Sequence, residues 1–399
     1  MSGSPSESFS YGGGTTVPES DHCCDWISTL PDAILCFILS FLPTKQVIAT
    51  SVLSKRWQPL WRSVSTLDFE VGTYYNRSKE DYARLLHSVS ALIQHLHHPI
   101  HKFRIRCCQL QDSFRPFQYI SPFTDPAHVT KWVNAAVQRG GLQHLHLCLS
   151  SKLVYREPPI NLSTIVMFSC KTLVVLKLEH IWLEPISSVD LPLLKVMHLY
   201  YLTFAEPRCL AKLLSGCPIL EDFKEFKIRF EDGEDDTETE FKTMPKLLRA
   251  DIYNFDSNIM LKVVNNVKFL HIDRIEESLV HDTEPYDFPM FHNLTHMQLD
   301  YIDCNIDWSD VVELIKNCPK LQVLVIYQPE ETANWQYPPS ILHLQRCTKD
   351  DEFKFARYIA EDSNEDDNMQ WDFYKLTSSQ LELVDESSFY YSSFFYTSF

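Results

Sequence analysis

Histidine and cysteine are the residue types through which this chain could hold a metal or attack a substrate: its 399 residues include 16 of the first and 12 of the second. His87, His95, His97 and His98 crowd one short stretch. Neutral imidazoles are good zinc ligands, but a zinc site needs ligands that converge in a fixed geometry, and no separate signal for one accompanies these four. They read as ordinary histidines. Cys170, Cys217 and Cys318 recur at related places in "FSCKTLVVLKL", "LLSGCPILEDF" and "LIKNCPKLQVLVI". A reactive thiol sits in an electropositive, partly open setting, whereas a cysteine repeated between a helix end and an apolar run reads as a small buried residue at a repeated turn. Phosphate-binding glycine loops, dinucleotide fingerprints, HExxH, CxxC pairs, G-x-S-x-G and kinase signatures are all missing. Carboxylates are plentiful, but catalysis needs proximity and tuned pKa values, which sequence separation does not supply. The expectation is a non-catalytic protein without a cofactor or metal.

Charge narrows the partner classes. The 36 basic and 53 acidic residues leave a net −17, and the 45 % hydrophobic content is that of a globular chain. A broadly basic nucleic-acid or anionic-membrane binder is excluded. Seven of the ten residues in "EDGEDDTETE", Glu231 to Glu240, are acidic, which favours an exposed insertion loop; the ligand spacing of a calcium loop is absent. Cysteines are too sparse for a small disulfide scaffold, so a reducing compartment fits best. Residues 1–24 lack a basic and then apolar signal pattern and read as a disordered leader. The run "ILCFILSFL", Ile34 to Leu42, has nine residues, too few for a bilayer span of about twenty. The acceptor-like triplets at Asn76, Asn161 and Asn293 are given no weight.

These residues need elements to position them, and the length suggests two to three domains. Between Leu30 and Val64, punctuation at Pro31, Pro43 and Pro59 divides three short helices. Pro31 and Asp32 suit a helix start, and Ile34, Leu35, Ile38, Leu39 and Leu42 make a wide apolar stripe. Thr44 is placed as the cap of the second helix and Ser54 as the cap of a third carrying Trp57, Leu60 and Trp61. A module of about forty residues buries too little to be strongly stable alone. Its excess apolar surface must be covered by the rest of the chain or by a partner.

Farther on, Leu85, Leu86, Val89, Leu92, Ile93 and Leu96 have helical spacing, "KFRIRC" from Lys102 alternates as a strand, and the helix candidate Ala127–Gly141 ends on two glycines suited to a left-handed cap. A helix, turn and strand order then repeats. The first apolar positions, Leu142, Leu173, Leu194, Leu220, Leu247, Val267, Leu294 and Leu321, are separated on average by about 26 residues, inside the ~20–29 residue range of leucine-rich repeats. "LQHLHL", "LVVLKL", "LTHMQL" and "LQVLVI" fit well; "LEDFKE", "LLRADI" and "VKFLHI" fit less well. In such a repeat, alternate strand residues point to a continuous core and the others to a ligand face on a parallel sheet. His144, His146, Lys177, Lys195, His296 and Gln298 are the candidates for that face.

Residues Asp25 to Phe69, "DWISTLPDAILCFILSFLPTKQVIATSVLSKRWQPLWRSVSTLDF", resemble the F-box of plant proteins that follow an F-box with leucine-rich repeats. The carrying pieces are "LPD" at Leu30 to Asp32, "ILSFLPTK" at Ile38 to Lys45, "SVLSKRW" at Ser51 to Trp57 and "LW" at Leu60–Trp61. The resemblance implies docking on the SKP-family adaptor of an SCF-type cullin-RING ubiquitin ligase, with cullin and RING subunits reached through it and a protein substrate held by the repeats. It marks Leu30, Pro31, Ile34, Leu35, Ile38, Leu39, Lys55, Arg56 and Trp57 as adaptor-facing candidates; Lys45, Lys55, Arg56 and Arg62 are placed on a basic rim. Trp335, Pro338–Pro339, His343–Leu344 and a helix in "EFKFARYIAED" resemble part of the FBD segment that follows the repeats in this family.

The resulting expectation is an α+β chain: a three-helix F-box at 25–69, a helical link at 70–101, an α/β leucine-rich-repeat solenoid with a parallel sheet at 102–328, a partial FBD-like segment at 329–363 and an aromatic tail at 364–399. It would work in the cytoplasm, the nucleus or both. A repeat scaffold outside any ligase, and a receptor for a small-molecule co-ligand at the repeats, are the alternatives left open.

Overall fold

Prolines set the frame of the amino-terminal module. In the computed structural model of the protein, α1 (Trp26–Thr29) is followed by α2 (Asp32–Leu39) and α3 (Thr44–Ala49), and Pro31 and Pro43 stand in extended backbone immediately before the latter two. A missing N–H costs little where a helix start leaves donors unpaired. The structure describes residues 26–70, 87–94, 96, 98–106, 126–149, 160–162, 166–231, 241–254, 258–274, 288–300, 314–328, 340–346, 354–359, 370–376 and 381–384. The leader, nearly all of the acidic run and the aromatic end of the tail lie outside them.

Two local expectations are corrected here. Thr44 makes no capping bond; it is buried, and its hydroxyl accepts the Asp68 N–H at 2.7 Å, fastening the module to the following strand. The third helix is replaced by turns over 55–59 and a 3-10 turn, Leu60–Ser63. Pro59 accounts for this, since it can neither donate to a continuing helix nor fit inside one.

The remaining strands are β1 (Thr66–Glu70), β2 (Lys102–Arg106), β3 (His144–Cys148), β4 (Ile160–Leu162), β5 (Val175–Glu179), β6 (Ile181–Leu183), β7 (Val196–Tyr200), β8 (Thr203–Phe204), β9 (Asp222–Phe226), β10 (Arg229–Phe230), β11 (Arg249–Asn254), β12 (Phe269–Arg274), β13 (His296–Leu299) and β14 (Val323–Gln328), then β15 (Ser340–Arg346), β16 (Lys354–Ile359), β17 (Gln370–Leu376) and β18 (Leu381–Val384). One sheet runs β1-β2-β3-β5-β7-β9-β11-β12-β13-β14 in parallel. It continues antiparallel through β15 to β18. A smaller parallel sheet, β4-β6-β8-β10, is made by the short strands that follow β3, β5, β7 and β9. The large sheet begins at β1, within the span assigned from sequence to the F-box.

One hydrogen-bonding device repeats along the array. Leu173, Leu194, Leu220, Leu247, Val267, Leu294 and Leu321 each donate their N–H to the carbonyl three residues earlier, closing a turn ahead of a strand. The next residue then donates to its counterpart in the preceding repeat, as Val174 does to Gln143, Lys195 to Val174, Glu221 to Lys195 and Leu248 to Glu221. Each turn is thereby registered on its neighbour, as a quasi-one-dimensional stack requires. The turn leucines are buried in one continuous core with the inward residues of the strands, among them Leu176, Leu178, Met197, Leu199, Leu270 and Ile272.

Helices cover part of that core: α4 (residues 87–94), α5 (Pro126–Gln138), α6 (Pro207–Ser215) and α7 (Asn258–Val263). After α5, Gly140 and Gly141 take φ of 76° and 77°, the left-handed conformation foreseen for them. The helix expected in "EFKFARYIAED" is strand β16, paired on both sides. Its Phe, Tyr and Ile content suits a pleated surface, and the cross-strand partners override the helical reading.

Candidate functional site

Two surfaces could bind partners, and they differ in chemistry. The first is on α2, which is apolar on two sides. Leu35 and Leu39, at 0 % and 2 % exposure, form a small core with Val47, Leu60 and Val64, against which Leu30, Leu42, Trp57 and Trp61 pack. The adjacent stripe, Ile34, Phe37, Ile38 and Phe41, follows the same three- and four-residue steps but faces outward, with Phe37 at 61 % and Phe41 at 74 % exposure. Phe37 and Phe41 meet edge to face at 5.0 Å. Trp26, Ile27, Val52 and Leu53 are further large apolar residues left exposed in this module.

The adaptor-facing candidates therefore divide. Ile34 and Ile38 lie on the exposed stripe and Pro31 is exposed, whereas Leu35 and Leu39 are the buried core and cannot contact a partner without unfolding. Leu30 and Trp57 are partly buried against that core. Lys55 is exposed. Arg56 is tied inward: it pairs with Asp32 at 2.7 Å and donates to the carbonyls of Ser28 and Leu30, which locks α1 to the start of α2. Phe37 and Phe41 escaped the sequence reading because helical spacing alone does not say which of two adjacent apolar stripes is covered.

The second surface is the face of the parallel sheet turned away from the core. Strand register brings Asp68, Arg104, His146, Lys177, His198, Lys224, Asp251, His271 and Gln298 into one row. Neighbours in the row and beside it form ion pairs: Arg104 with Asp68 at 3.1 Å, His146 with Glu179 at 2.8 Å, His198 with Asp222 at 3.4 Å and Lys224 with Asp251 at 2.8 Å. Burial would raise the Glu179 carboxyl, but the hydrogen bond from His146 brings it below its ordinary value; Asp222 is lowered chiefly by His198. His146, Lys177, His296 and Gln298 stand on this face as expected, while His144 and Lys195 are on its exposed rim.

Left-handed residues shape one edge. His180, Tyr201 and Lys227 have φ of 57°, 53° and 54° just after β5, β7 and β9. His180 and Tyr201 stack at 4.5 Å, and the Lys227 ammonium lies 5.7 Å from the Tyr201 ring and 5.2 Å from that of Tyr253. A cavity of about 360 Å³ is bounded there by His146, Lys177, Glu179, His180, His198, Tyr200 and Tyr201. A second, of about 320 Å³, lies across β11 to β14, where Arg249 covers Phe269 at 5.2 Å and Phe269 stacks on His296 at 4.7 Å.

The residues singled out for metal or thiol chemistry are placed elsewhere. His87 is exposed, His98 contacts the carbonyls of Arg62 and Pro99, and the side chains of His95 and His97 lie outside the described set. Among the described residues, ligand atoms of His271, Asp273 and Asp300 fall within 4.8 Å of one another. His271, however, donates Nδ1–H to Asp251 at 2.8 Å and Nε2–H to Asp300 at 2.9 Å. Burial alone would lower its pKa, and these two carboxylates instead carry it up to about 9. An imidazolium with both protons committed offers no lone pair to a cation. Cys217 and Cys318 are buried and donate to the carbonyls of Leu213 and Leu314, each at 3.2 Å; burial pushes the Cys217 thiol up to about 12, which makes it inert. Cys148 is disulfide-bonded, a departure from the free thiols expected in a reducing compartment.

Glu225 was missed altogether. It occupies the inward column that carries Leu178, Leu199, Ile252 and Ile272 in neighbouring strands, and it accepts the Tyr253 N–H at 3.2 Å. Burial first, with a smaller push from Asp251, raises its pKa to about 7 against the opposing effect of that hydrogen bond. The signal was present in the imperfect repeat "LEDFKE", where a carboxylate takes a leucine position.

Comparison with known proteins covers both regions. The F-box domain family matches residues 27–68 and the Leucine Rich Repeat family matches residues 193–218. An FBD-associated F-box protein of Arabidopsis thaliana is 30 % identical over 373 residues, 79 % of this chain and 80 % of that protein. An F-box/LRR-repeat protein of the same plant is 34 % identical over 227 residues, 53 % of this chain, and the match spans only 39 % of that relative's length; for an FBD-associated F-box relative at 35 % identity the span is 42 %. None of the described helices is long and apolar enough to cross a membrane.

Proposed function

The chain belongs to the plant family of F-box proteins with leucine-rich repeats, and from that premise we propose that it is the substrate-recognition subunit of an SCF-type cullin-RING ubiquitin ligase. The observation that carries the proposal is the outward stripe Ile34, Phe37, Ile38 and Phe41 beside a core that already has its own leucines. Covering a large apolar side chain stabilises by about 1.5–3 kcal/mol, so four of them are enough to drive docking and too many to leave in water. The occupant is an SKP-family adaptor, through which cullin and RING subunits assemble. The repeats hold a protein substrate, and the chain's contribution to ubiquitin transfer is proximity: a tethered substrate meets the charged carrier at high effective concentration. Other subunits make and break the bonds. The complex works in the cytoplasm, the nucleus or both.

The test is copurification of the full chain with purified adaptor. Stoichiometric capture that is lost in Ile34→Asp/Ile38→Asp, with circular dichroism unchanged, is the expected result. Absence of capture by the folded wild-type chain would refute the assignment.

A further inference from the structure

Three residues in the left-handed region stand where the chain turns from the large sheet into the small one, and none is glycine: His180 after β5, Tyr201 after β7 and Lys227 after β9. Glycine or asparagine would hold such a corner at less cost, and strained outliers of this kind cluster at ligand-binding sites. All three side chains enter one aromatic strip. His180 stacks on Tyr201 at 4.5 Å with 9° between the planes, Tyr201 meets Phe226 at 5.0 Å, and Phe226 meets Tyr253 at 4.1 Å. Tyr200 joins from the cavity side, 6.4 Å from Phe226. The strip crosses β5, β7, β9 and β11, and Tyr201 is 42 % exposed. The Lys227 ammonium is accommodated on three ring faces, 5.7 Å from Tyr201, 5.5 Å from Phe226 and 5.2 Å from Tyr253.

Charges beside the strip are balanced. The wall of the 360 Å³ cavity carries both Lys177 and Glu179. Burial would raise the Glu179 carboxyl, and His146, His180 and Lys177 together bring it below its ordinary value. A ligand charge of either sign would therefore meet its like beside its opposite. His180 is neutral, since burial lowers its pKa, and burial raises that of Tyr200, which stays a phenol. Among the described residues, neither the Tyr200 nor the Tyr201 hydroxyl donates a hydrogen bond. The strip thus offers ring faces and two O–H donors. A polyproline II segment is their complement, with flat apolar rings and carbonyls that find no partner within their own helix. Its spacing also fits: at ~3.1 Å per residue, prolines three apart lie about 9.3 Å from each other, and strands two apart in a sheet lie about 9.6 Å from each other. Resting on the reading of the repeats as the substrate-holding part, we propose that the strip takes a proline-rich extended segment of a partner protein, with one proline in the cavity against Tyr200 and Tyr201 and another, three residues on, beside Tyr253.

The experiment presents the purified full chain with a displayed library of random twelve-residue peptides. Selected sequences should be enriched in prolines three positions apart. A synthetic peptide of the winning sequence should bind at least tenfold more weakly when its prolines become Ala, and its affinity should stay nearly constant as salt rises from about 0.05 to 0.5 M, because no ion pair is there to be screened. Tyr201→Asn removes the ring but tolerates the left-handed corner, so binding should fall at least tenfold at an unchanged or higher melting temperature. Tyr200→Phe/Tyr201→Phe keeps the rings and removes the donors, and should weaken binding at least threefold with folding intact. Enrichment of charged or proline-free sequences, recovery of no binding peptide, capture of oligosaccharides in place of peptides, or wild-type binding by the double phenylalanine variant would each overturn the proposal. Repeating the measurement with Ile34→Asp/Ile38→Asp separates it from the ligase assignment, because peptide binding should survive the loss of adaptor capture.

Discussion

In the amino-terminal module large apolar side chains occupy two sides of one helix, whereas in the repeat array the fully buried ones lie on one side of the strands and the other side is mostly polar, with Phe269 and a few valines among its charges. On α2, Leu35 and Leu39 point in while Ile34, Phe37 and Ile38 point out; on β5, Leu176 and Leu178 point in while Lys177 and Glu179 point out. The outward surfaces therefore store different energies. An apolar stripe is costly in water and gains wherever it is covered, which suits a standing contact with one shared partner. A row of charges already satisfied by its neighbours gains only from a ligand of matching charge, which suits discrimination.

The largest effect expected from substitution breaks this comparison at the two cores. Leu35→Ala should cost about 2–5 kcal/mol, enough to unfold a module whose core is small, and adaptor capture should disappear with it. Leu178→Ala should cost a similar amount, but in a stack of nearest-neighbour contacts the damage should stay local, with hydrogen-exchange protection lost around β3, β5 and β7 and retained at β12 and β13. Global unfolding of the array in one step would contradict this contrast.

Glu225 gives the next largest change. Its carboxyl is raised to about 7 when folded, above the ordinary 4.5, so it binds a proton more tightly in the folded chain. Stability is then lost as pH rises from about 4.5 to 7 and stays lost above that range. Glu225→Gln keeps an acceptor for the Tyr253 N–H without the charge, and should add about 3 kcal/mol at pH 8 and almost nothing at pH 4, read from urea unfolding at each pH. His271, raised from 6.5 to about 9, contributes stability that is full below pH 6.5 and is lost as pH climbs through 9. Its partly open position screens the gain, so His271→Gln should reduce stability by about 1–2 kcal/mol at pH 6 and remove the upper slope of the profile. The smallest effect on folding should come from Phe37→Ala or Phe41→Ala, within about 0.5 kcal/mol, because neither side chain is part of a core.

Periodicity made much of this architecture legible. Seven of the eight leucine-like positions were legible because each is the buried corner of a turn that must recur for the strands to stack, and Gly140 and Gly141 because a left-handed helix end selects glycine. Strand alternation likewise placed His146, Lys177, His296 and Gln298 on the outward face. What stayed hidden depends on contacts distant in sequence. Which apolar stripe of α2 is covered is decided by Leu60 and Val64; Thr44 serves Asp68 and not its own helix; β16 is a strand because β15 and β17 flank it. The ion pairs of the outward row join residues 20 to 36 positions apart, a relation that only register creates.

The proposed division of labour between the two surfaces is tested most directly by titration calorimetry of the full chain with a purified SKP-family adaptor, comparing wild type, Phe37→Ala, Phe41→Ala and Lys177→Glu. The expected result is an affinity at least tenfold weaker for both phenylalanine variants, at unchanged melting temperature, and no change for Lys177→Glu. Equal affinities for all four chains, or a loss confined to Lys177→Glu, would contradict the account.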